Sequence, residues 1–470
     1  MTMMRSFLFS FFLVFQFQSF ATIRLPAVIG SNMVLQQKST VKLWGWGSPG
    51  EKVNVATTWH GLIDSTVVDG NGKWIVNLRT PAAGGPYGIT INGSNTIELK
   101  NVLIGEVWIC SGQSNMEFSY NWGAPAMKKD VAAANIPAIR FFQVQKVTAL
   151  SPQENLAGEW SVCDTNTVKW FSAVAFYFGK RLNDDLNVPI GLINASWGGT
   201  PAETWTPSEI VNRDPALAEA SRKLKTSAWW PITPGYTYNA MIAPLTNFSI
   251  AGAIWYQGES NTGTSSTYSK LFGSMIESWR KAWAKELPFY FVQLAPYTYG
   301  EKNIAALLRE AQVKTLALHQ TGIVVTNDLA DDTTDIHPKN KKDVGVRLAK
   351  MALANTYSLP ISGAYSPLYN YMRVDGDMVT LFFKNVGTGL RAEGRTGEGF
   401  FIAGADKQFY PAEARIAGST ITLVSKQVKQ PVAVRYAFSN TAVGNIFSRE
   451  GMPLSPFRTD DWEVDTSSVK

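Results

Sequence analysis

Cysteine and histidine are scarce in this 470-residue chain, which has two Cys and three His. Two thiols, Cys110 and Cys163, cannot form a cysteine-built metal site or a disulfide scaffold, and a chain this long does not need stapling. Whether they bridge each other is left open by the sequence. Charge is also sparse, at 17% of residues with a formal net of +6 and no dense Lys/Arg block. That excludes the electrostatic footprint of a nucleic-acid binder. After residue 21 no apolar run reaches the roughly 18 residues of a membrane-spanning helix. Internal repeats and low-complexity tracts are absent too. An apolar content of 45% instead describes a globular protein, long enough for two or three domains.

Aromatic residues are plentiful: 16 Trp and 16 Tyr, many beside Gly, Asn and Ser. Such rings pack cores and strand faces, and they also stack on sugar rings. Residues 1–21, MTMMRSFLFSFFLVFQFQSFA, carry Arg5, a Phe/Leu-rich run and a small-x-small end at Ser19-Phe20-Ala21. This pattern predicts a secretory signal, and no cysteine follows the cleavage site to take a lipid anchor. The mature protein is expected to be soluble, secreted or periplasmic, with no membrane association and no obligate protein partner.

Three regions follow. Residues 22–102 read as β throughout: TVKLWGWG, KVNVATTW and KWIVNL alternate or are β-branched, and Asp69-Gly70-Asn71-Gly72 predicts a hairpin. A small N-terminal β-sandwich is the economical assignment. Over residues 103–360, short apolar strands (VWIC, PIGLINASW, AGAIWYQ, PFYFVQLA, TGIVVTND) alternate with amphipathic helical stretches. That predicts an α/β domain with a mainly parallel sheet covered on both faces, whose site lies off the carboxyl ends of the strands. Residues 361–470 return to β signals and form a C-terminal β-rich region, as a further domain or an extension.

Four strand ends carry polar or glycine residues. In VWICSGQSNME, Val107–Glu117, Ser114 stands where strand gives way to helix, as a cap or as a nucleophile facing first-turn N–H groups. The elbow G-x-S-x-G would need glycine at the position held by Met116. In NASWGGTPAETW, Gly198 and Gly199 allow close backbone approach, and either could supply an oxyanion N–H or simply make a turn. In IWYQGESN, Gln257 reaches the same edge with an amide able to donate to an oxyanion, and Glu259 is either a substrate contact or a solvated carboxylate. In DDTTDIHPKNKKDVG, His337 follows Asp335 by two residues. His60 lies in the first β region and His319 closes a helix, so His337 is the remaining candidate base, with a surface loop histidine as the plain alternative.

In this order CSGQSNM, WGGTPAETW, WYQGESN and DIHPKNK resemble the motif blocks of the SGNH hydrolase superfamily, and specifically of the sialate O-acetylesterase family of carbohydrate esterases. The resemblance runs from about Pro26 to Trp462 and includes NMVLQQ, Asn32–Gln37. It implies a three-layer α/β/α hydrolase domain with no metal and no cofactor. It also implies Ser114 as nucleophile, His337 as base, and oxyanion donors at the Ser114 N–H, a glycine of the 198/199 pair and Gln257. The superfamily spacing Asp-x-x-His would put the acid at Thr334, so the acid falls to Asp335, to Asp332 or to a backbone carbonyl.

The activity implied is removal of O-acetyl groups from an acetylated glycan, 9-O-acetyl sialic acid first among them. Glu259, Trp197 and Tyr256, with Trp229 and Trp230, are expected to hold the sugar. Two other readings are an acetylesterase for plant hemicellulose, xyloglucan or xylan, and a non-catalytic glycan-binding protein.

Overall fold

The computed structural model describes residues 22–469, so the expected signal segment lies outside the described residues. The first β region consists of two antiparallel groups that share a core. Lys52–Thr57 pairs with Ile63–Val67 and Gly84–Asn92, while Thr40–Trp46 pairs with Lys73–Arg79. Period-two alternation puts Val53, Val55, Ile89 and Ile91 of one group against Val41, Leu43, Val76 and Leu78 of the other. The Asp69–Gly72 segment turns tightly, with the Asp69 N–H donating to the Lys73 carbonyl at 2.8 Å. It is not a hairpin turn, however, because its flanking strands pair with different partners. Burial of Val68 and Trp74 inside outweighs the local turn signal and carries the chain from one group to the other.

One strand links this region to the next. Thr96–Gly112 pairs antiparallel with Gly84–Asn92 over its first half, then becomes the middle strand of a second arrangement. There the spatial order is Thr321–Val324, Phe289–Val292, Gly252–Tyr256, Thr96–Gly112, Ile190–Ser196, Asn135–Gln143 and Trp160–Asp164, all parallel except the last. Alternate side chains feed two cores. Trp108, Cys110, Ile254, Tyr256 and Tyr290 pack with helices Ala173–Leu186 and Lys341–Asn355. Ile109, Trp255, Phe289 and Phe291 pack with helices Ser265–Trp283 and Ile304–Lys314. Strands buried on both faces explain why these segments read as nearly continuous apolar runs. Cys110 and Cys163 are both buried and free, so the structure forms no bridge between them.

Local signals set the helix ends. Ser172 caps Ala173–Leu186 by accepting the Ala175 N–H at 3.1 Å, and Asn187 closes it in the left-handed conformation. Asn340 caps Lys341–Asn355 through the Asp343 N–H, which fixes the chain direction immediately after His337. The C-terminal β-rich region comprises two four-stranded antiparallel groups and the two-stranded pair Leu390–Ala392 with Ile446–Ser448, around Val379, Leu381, Ile402, Val434 and Tyr436. Arg309, fully buried, ties it to the sheet by donating to the carbonyls of Leu294, Ala295, Ser439 and Asn440. Among the described residues no helix is long and apolar enough to cross a membrane.

Candidate active site

Three adjacent parallel strands, Gly252–Tyr256, Thr96–Gly112 and Ile190–Ser196, end at one rim and release the Gln257, Ser114 and Gly198/Gly199 loops there. The chain departs to opposite sides of the middle strand at this point, where open α/β sheets form ligand crevices. Gly112 is at φ +135°, and a β-carbon there would lie 2.1 Å from the Tyr256 carbonyl oxygen. Only glycine lets the strand bend this close to its neighbour. The bend is held by the Gln113 N–H on the Tyr256 carbonyl (3.0 Å) and the Trp197 N–H on the Gly112 carbonyl (3.1 Å). Ser114 then opens the short helix Ser114–Glu117, half-buried, with its N–H among those that have no preceding carbonyl to bond.

The histidine loop comes from the far edge of the sheet and is tied to this helix by Asn115. Asn115 Nδ2 donates to the Ile336 carbonyl (3.1 Å) and to Glu259 Oε1 (2.5 Å), while its Oδ1 accepts from the Lys341 ammonium. One buried amide therefore joins the residue after Ser114, the residue before His337, and the Gln257 loop. The His337 ring lies 5.6 Å from the Phe118 ring, one helical turn beyond Ser114, and 5.8 Å from Trp122. Ser114 and His337 thus share a rim, although no hydrogen bond joins the hydroxyl to the ring among the described residues.

Asp335 is the carboxylate nearest the ring. Its Oδ1 accepts the His337 backbone N–H at 2.9 Å and stands 3.8 Å from Nδ1, while Oδ2 pairs with Lys339 at 2.7 Å. At 3.8 Å the contact to the ring is electrostatic and not a hydrogen bond. Asp332 instead binds the Thr334 N–H and hydroxyl. Burial would raise the Asp335 pKa, but Lys339 and the His337 N–H hold it below the usual carboxylate value. Burial, then the Lys341 charge, hold His337 below its usual 6.5 against the opposing pull of Asp335. Lys341 itself, 1% exposed, is pushed down to about 7 by burial, with Glu259 opposing. Burial raises Glu259.

Several expected roles are not met by the geometry. Gln257 is fully buried and both its amide hydrogens are engaged, by Asn261 Oδ1 (2.7 Å) and the Thr200 carbonyl (3.3 Å); its oxygen accepts from Tyr268 (2.8 Å). It braces the glycine loop and has no donor left for an oxyanion. The Gly198 N–H is donated to Glu117 Oε2 at 2.7 Å, whereas the Gly199 N–H, at φ +80°, has no acceptor among the described residues. Tyr256 is 1% exposed, sealed between the sheet and the Lys341 ammonium, 5.5 Å over its ring, so it offers no face to a sugar. Trp197 is half-buried with its Nε1–H on the Trp229 carbonyl (3.2 Å), and Trp229 is exposed. Trp230 packs against Gly199.

Asn115, Glu117 and Lys341 stand inside the quoted motifs, yet their roles depend on tertiary neighbours. Glu117 follows Ser114 by three residues, the spacing that brings side chains onto one helix face; it holds Gly198 and pairs with Lys146. Lys341 had one signal, its helical spacing with Val344 and Leu348 on the face that packs on the core. Gln113 also acts structurally: its Oε1 accepts the Gly258 and Ser260 N–H groups at 3.3 and 3.4 Å.

Residues 104–354, more than half of the chain, match the family described as carbohydrate esterase, sialic acid-specific acetylesterase. The chain belongs to this family. Its similarity to curated members of the sialate O-acetylesterase group spans most of its length: 30% identity over 379 residues with the Homo sapiens protein, covering 71% of both chains, and 31% over 399 residues with the Rattus norvegicus protein, covering 71% of this chain and 73% of that one. Among solved structures, a carbohydrate acetylesterase from Xanthomonas citri is 37% identical with a TM-score of 0.85, over 94% of this chain and all of that one. The chain is thus a carbohydrate esterase with a mixed sheet, covering helices and additional β-rich regions, and carbohydrate O-deacetylation is its activity.

Proposed function

We propose that Ser114 and His337 carry out this deacetylation as a nucleophile–base pair on a three-layer SGNH-type scaffold with an N-terminal β-sandwich. The observation that carries the reading is the Asn115 clamp, which fastens the turn bearing Ser114 to the carbonyl preceding His337 at 3.1 Å. His337 removes the proton as Ser114 Oγ attacks the acetyl carbonyl; the resulting oxyanion is met by the backbone N–H groups of Ser114 and Gly199. Collapse breaks the bond to the sugar oxygen, which takes the proton from His337 to leave as the free hydroxyl, and an acetyl-serine remains. Water activated by His337 then releases acetate. Asp335, 3.8 Å from Nδ1, favours the imidazolium that forms in each step.

Ser114→Ala and His337→Ala should each lower acetate release from a simple acetate ester by about 10³-fold or more; full activity in either variant would refute the mechanism. That same assay excludes a purely glycan-binding protein if the wild type turns over. For the sugar, the curated relatives are named sialate O-acetylesterases and the Xanthomonas citri structure a carbohydrate acetylesterase. The sialate reading stands first, with hemicellulose second, and acetate release from 9-O-acetyl sialic acid against acetylated xylan or xyloglucan separates them. The N-terminal signal pattern supports export to the periplasm or medium, testable by cell fractionation.

A further inference from the structure

In the deacetylation His337 hands its proton to the departing sugar oxygen, which must then lie about 3 Å from a nitrogen of the imidazole. Whatever flanks the imidazole on its open side therefore flanks the sugar. Among the described residues two aromatic rings do so. Phe118, 5.6 Å away, is buried beneath the Lys339 and Lys341 ammonium groups, which stand 5.2 and 4.9 Å from its centre. Trp122, 5.8 Å away and tilted by 42°, is 48% exposed. The indole is held in place: its ring stacks on Phe118 at 5.6 Å, and its backbone N–H closes a turn on the Ser119 carbonyl at 3.2 Å. Phe118 in turn is one helical turn from Ser114, whose carbonyl accepts the Phe118 N–H at 2.9 Å. Nucleophile, base and half-open indole thus border one three-ring cluster. The more exposed Trp170 and Trp229 make no ring contact with it.

We propose that the open side of Trp122 is the platform for the sugar ring whose acetyl group Ser114 removes. The inference rests on the serine-esterase reading above. With the acetyl carbon at Ser114 Oγ and the bridging oxygen at the His337 ring, the sugar carbons attached to that oxygen are left within contact range of the indole. A pyranose suits such a surface, because its C–H face packs on an aromatic ring while the hydroxyls at its rim stay in water. Trp122 takes the part that Tyr256, sealed in the core, cannot play. It contacts the sugar and not the acetyl group, so it selects the leaving group and leaves the chemistry of the ester to Ser114 and His337.

The test compares ethyl acetate, whose leaving group has no ring to stack, with the acetylated sugar that the wild type hydrolyses best. Trp122→Leu should lower kcat/KM on the sugar about tenfold, mainly through KM, and change it less than about twofold on ethyl acetate. Trp122→Tyr, which keeps an aromatic face, should recover most of the loss. Equal losses on both esters would make Trp122 a support for the His337 ring and overturn the platform, as would no loss on the sugar. A measurement on the wild type serves if the variants misfold: the deacetylated sugar should slow oxidation of Trp122 by N-bromosuccinimide, located by peptide mass spectrometry, relative to Trp170 and Trp229. Absence of that protection at saturating sugar overturns the proposal. Full activity of Ser114→Ala on ethyl acetate would instead overturn the serine-esterase reading, and the platform with it.

Discussion

His337 sits where burial and a buried cation both oppose its protonation, and the sign of that effect is testable. With the neutral imidazole as the proposed base and its pKa held below 6.5, activity should persist into mildly acidic solution and decline only as pH falls through that lowered value. A kcat/KM–pH profile with its acid limb below 6.5 is the expected result. Lys341→Met removes the positive charge that, after burial, most opposes protonation of the ring. The acid limb should then move up in pH. Asp335 is a weaker partner than a hydrogen-bonded triad acid, because its carboxylate is shared with Lys339 and the backbone and remains 3.8 Å from Nδ1. Asp335→Asn is expected to lower kcat about tenfold, well short of the roughly 10⁴-fold known where the acid grips the ring directly.

At the scale of elements, the site is a set of loops held together by buried amides. Asn115 alone connects the Ser114–Glu117 helix, the loop before Lys341–Asn355, and Glu259. Asn115→Ala leaves a buried carboxyl and a buried amine without partners, and should destabilise the fold by about 3 kcal/mol in denaturant titration while reducing kcat. Gln257 plays the same part between the glycine loop and Asn261, whose Nδ2 reaches Glu203 Oε2 at 2.8 Å. Gly112 sets how closely the nucleophile strand meets its neighbour. Gly112→Ala would force the Tyr256 carbonyl away and should cost at least about 2 kcal/mol, read as a lowered unfolding midpoint.

Across the whole molecule the governing feature is the seventeen-residue strand Thr96–Gly112. Its first half completes the N-terminal β region and its second half is the axis of the parallel sheet, so the two share backbone pairing and not merely a linker. A chain starting at residue 103 should therefore be insoluble or inactive, since the partners of Thr96–Val102 and the pairing of Val34–Gln36 with Leu103–Gly105 are lost. The C-terminal region is joined by Arg309 and by the Arg458–Glu310 pair at 3.0 Å. Arg309→Met should detach it, exposing the Ser439 and Asn440 carbonyls to proteolysis ahead of global unfolding.

The order of strand-end motifs along the chain already implied a shared rim, because parallel strands joined by helices deliver their carboxyl ends to one side. The passage from strand to helix at Ser114 was equally legible, whereas the caps at Ser172 and Asn340 and the bend at Gly112 emerge only in the folded chain. What the sequence could not determine was the use of each polar group once water is excluded. Gln257 and Gly198 have donors of the right type, but tertiary neighbours already occupy them. Tyr256 has the right ring, but the alternation of a doubly buried strand turns it inward. Asn115 and Lys341 gain their significance from a contact that spans 226 positions of chain, since hydrogen bonding and burial depend on three-dimensional neighbours that no local pattern records.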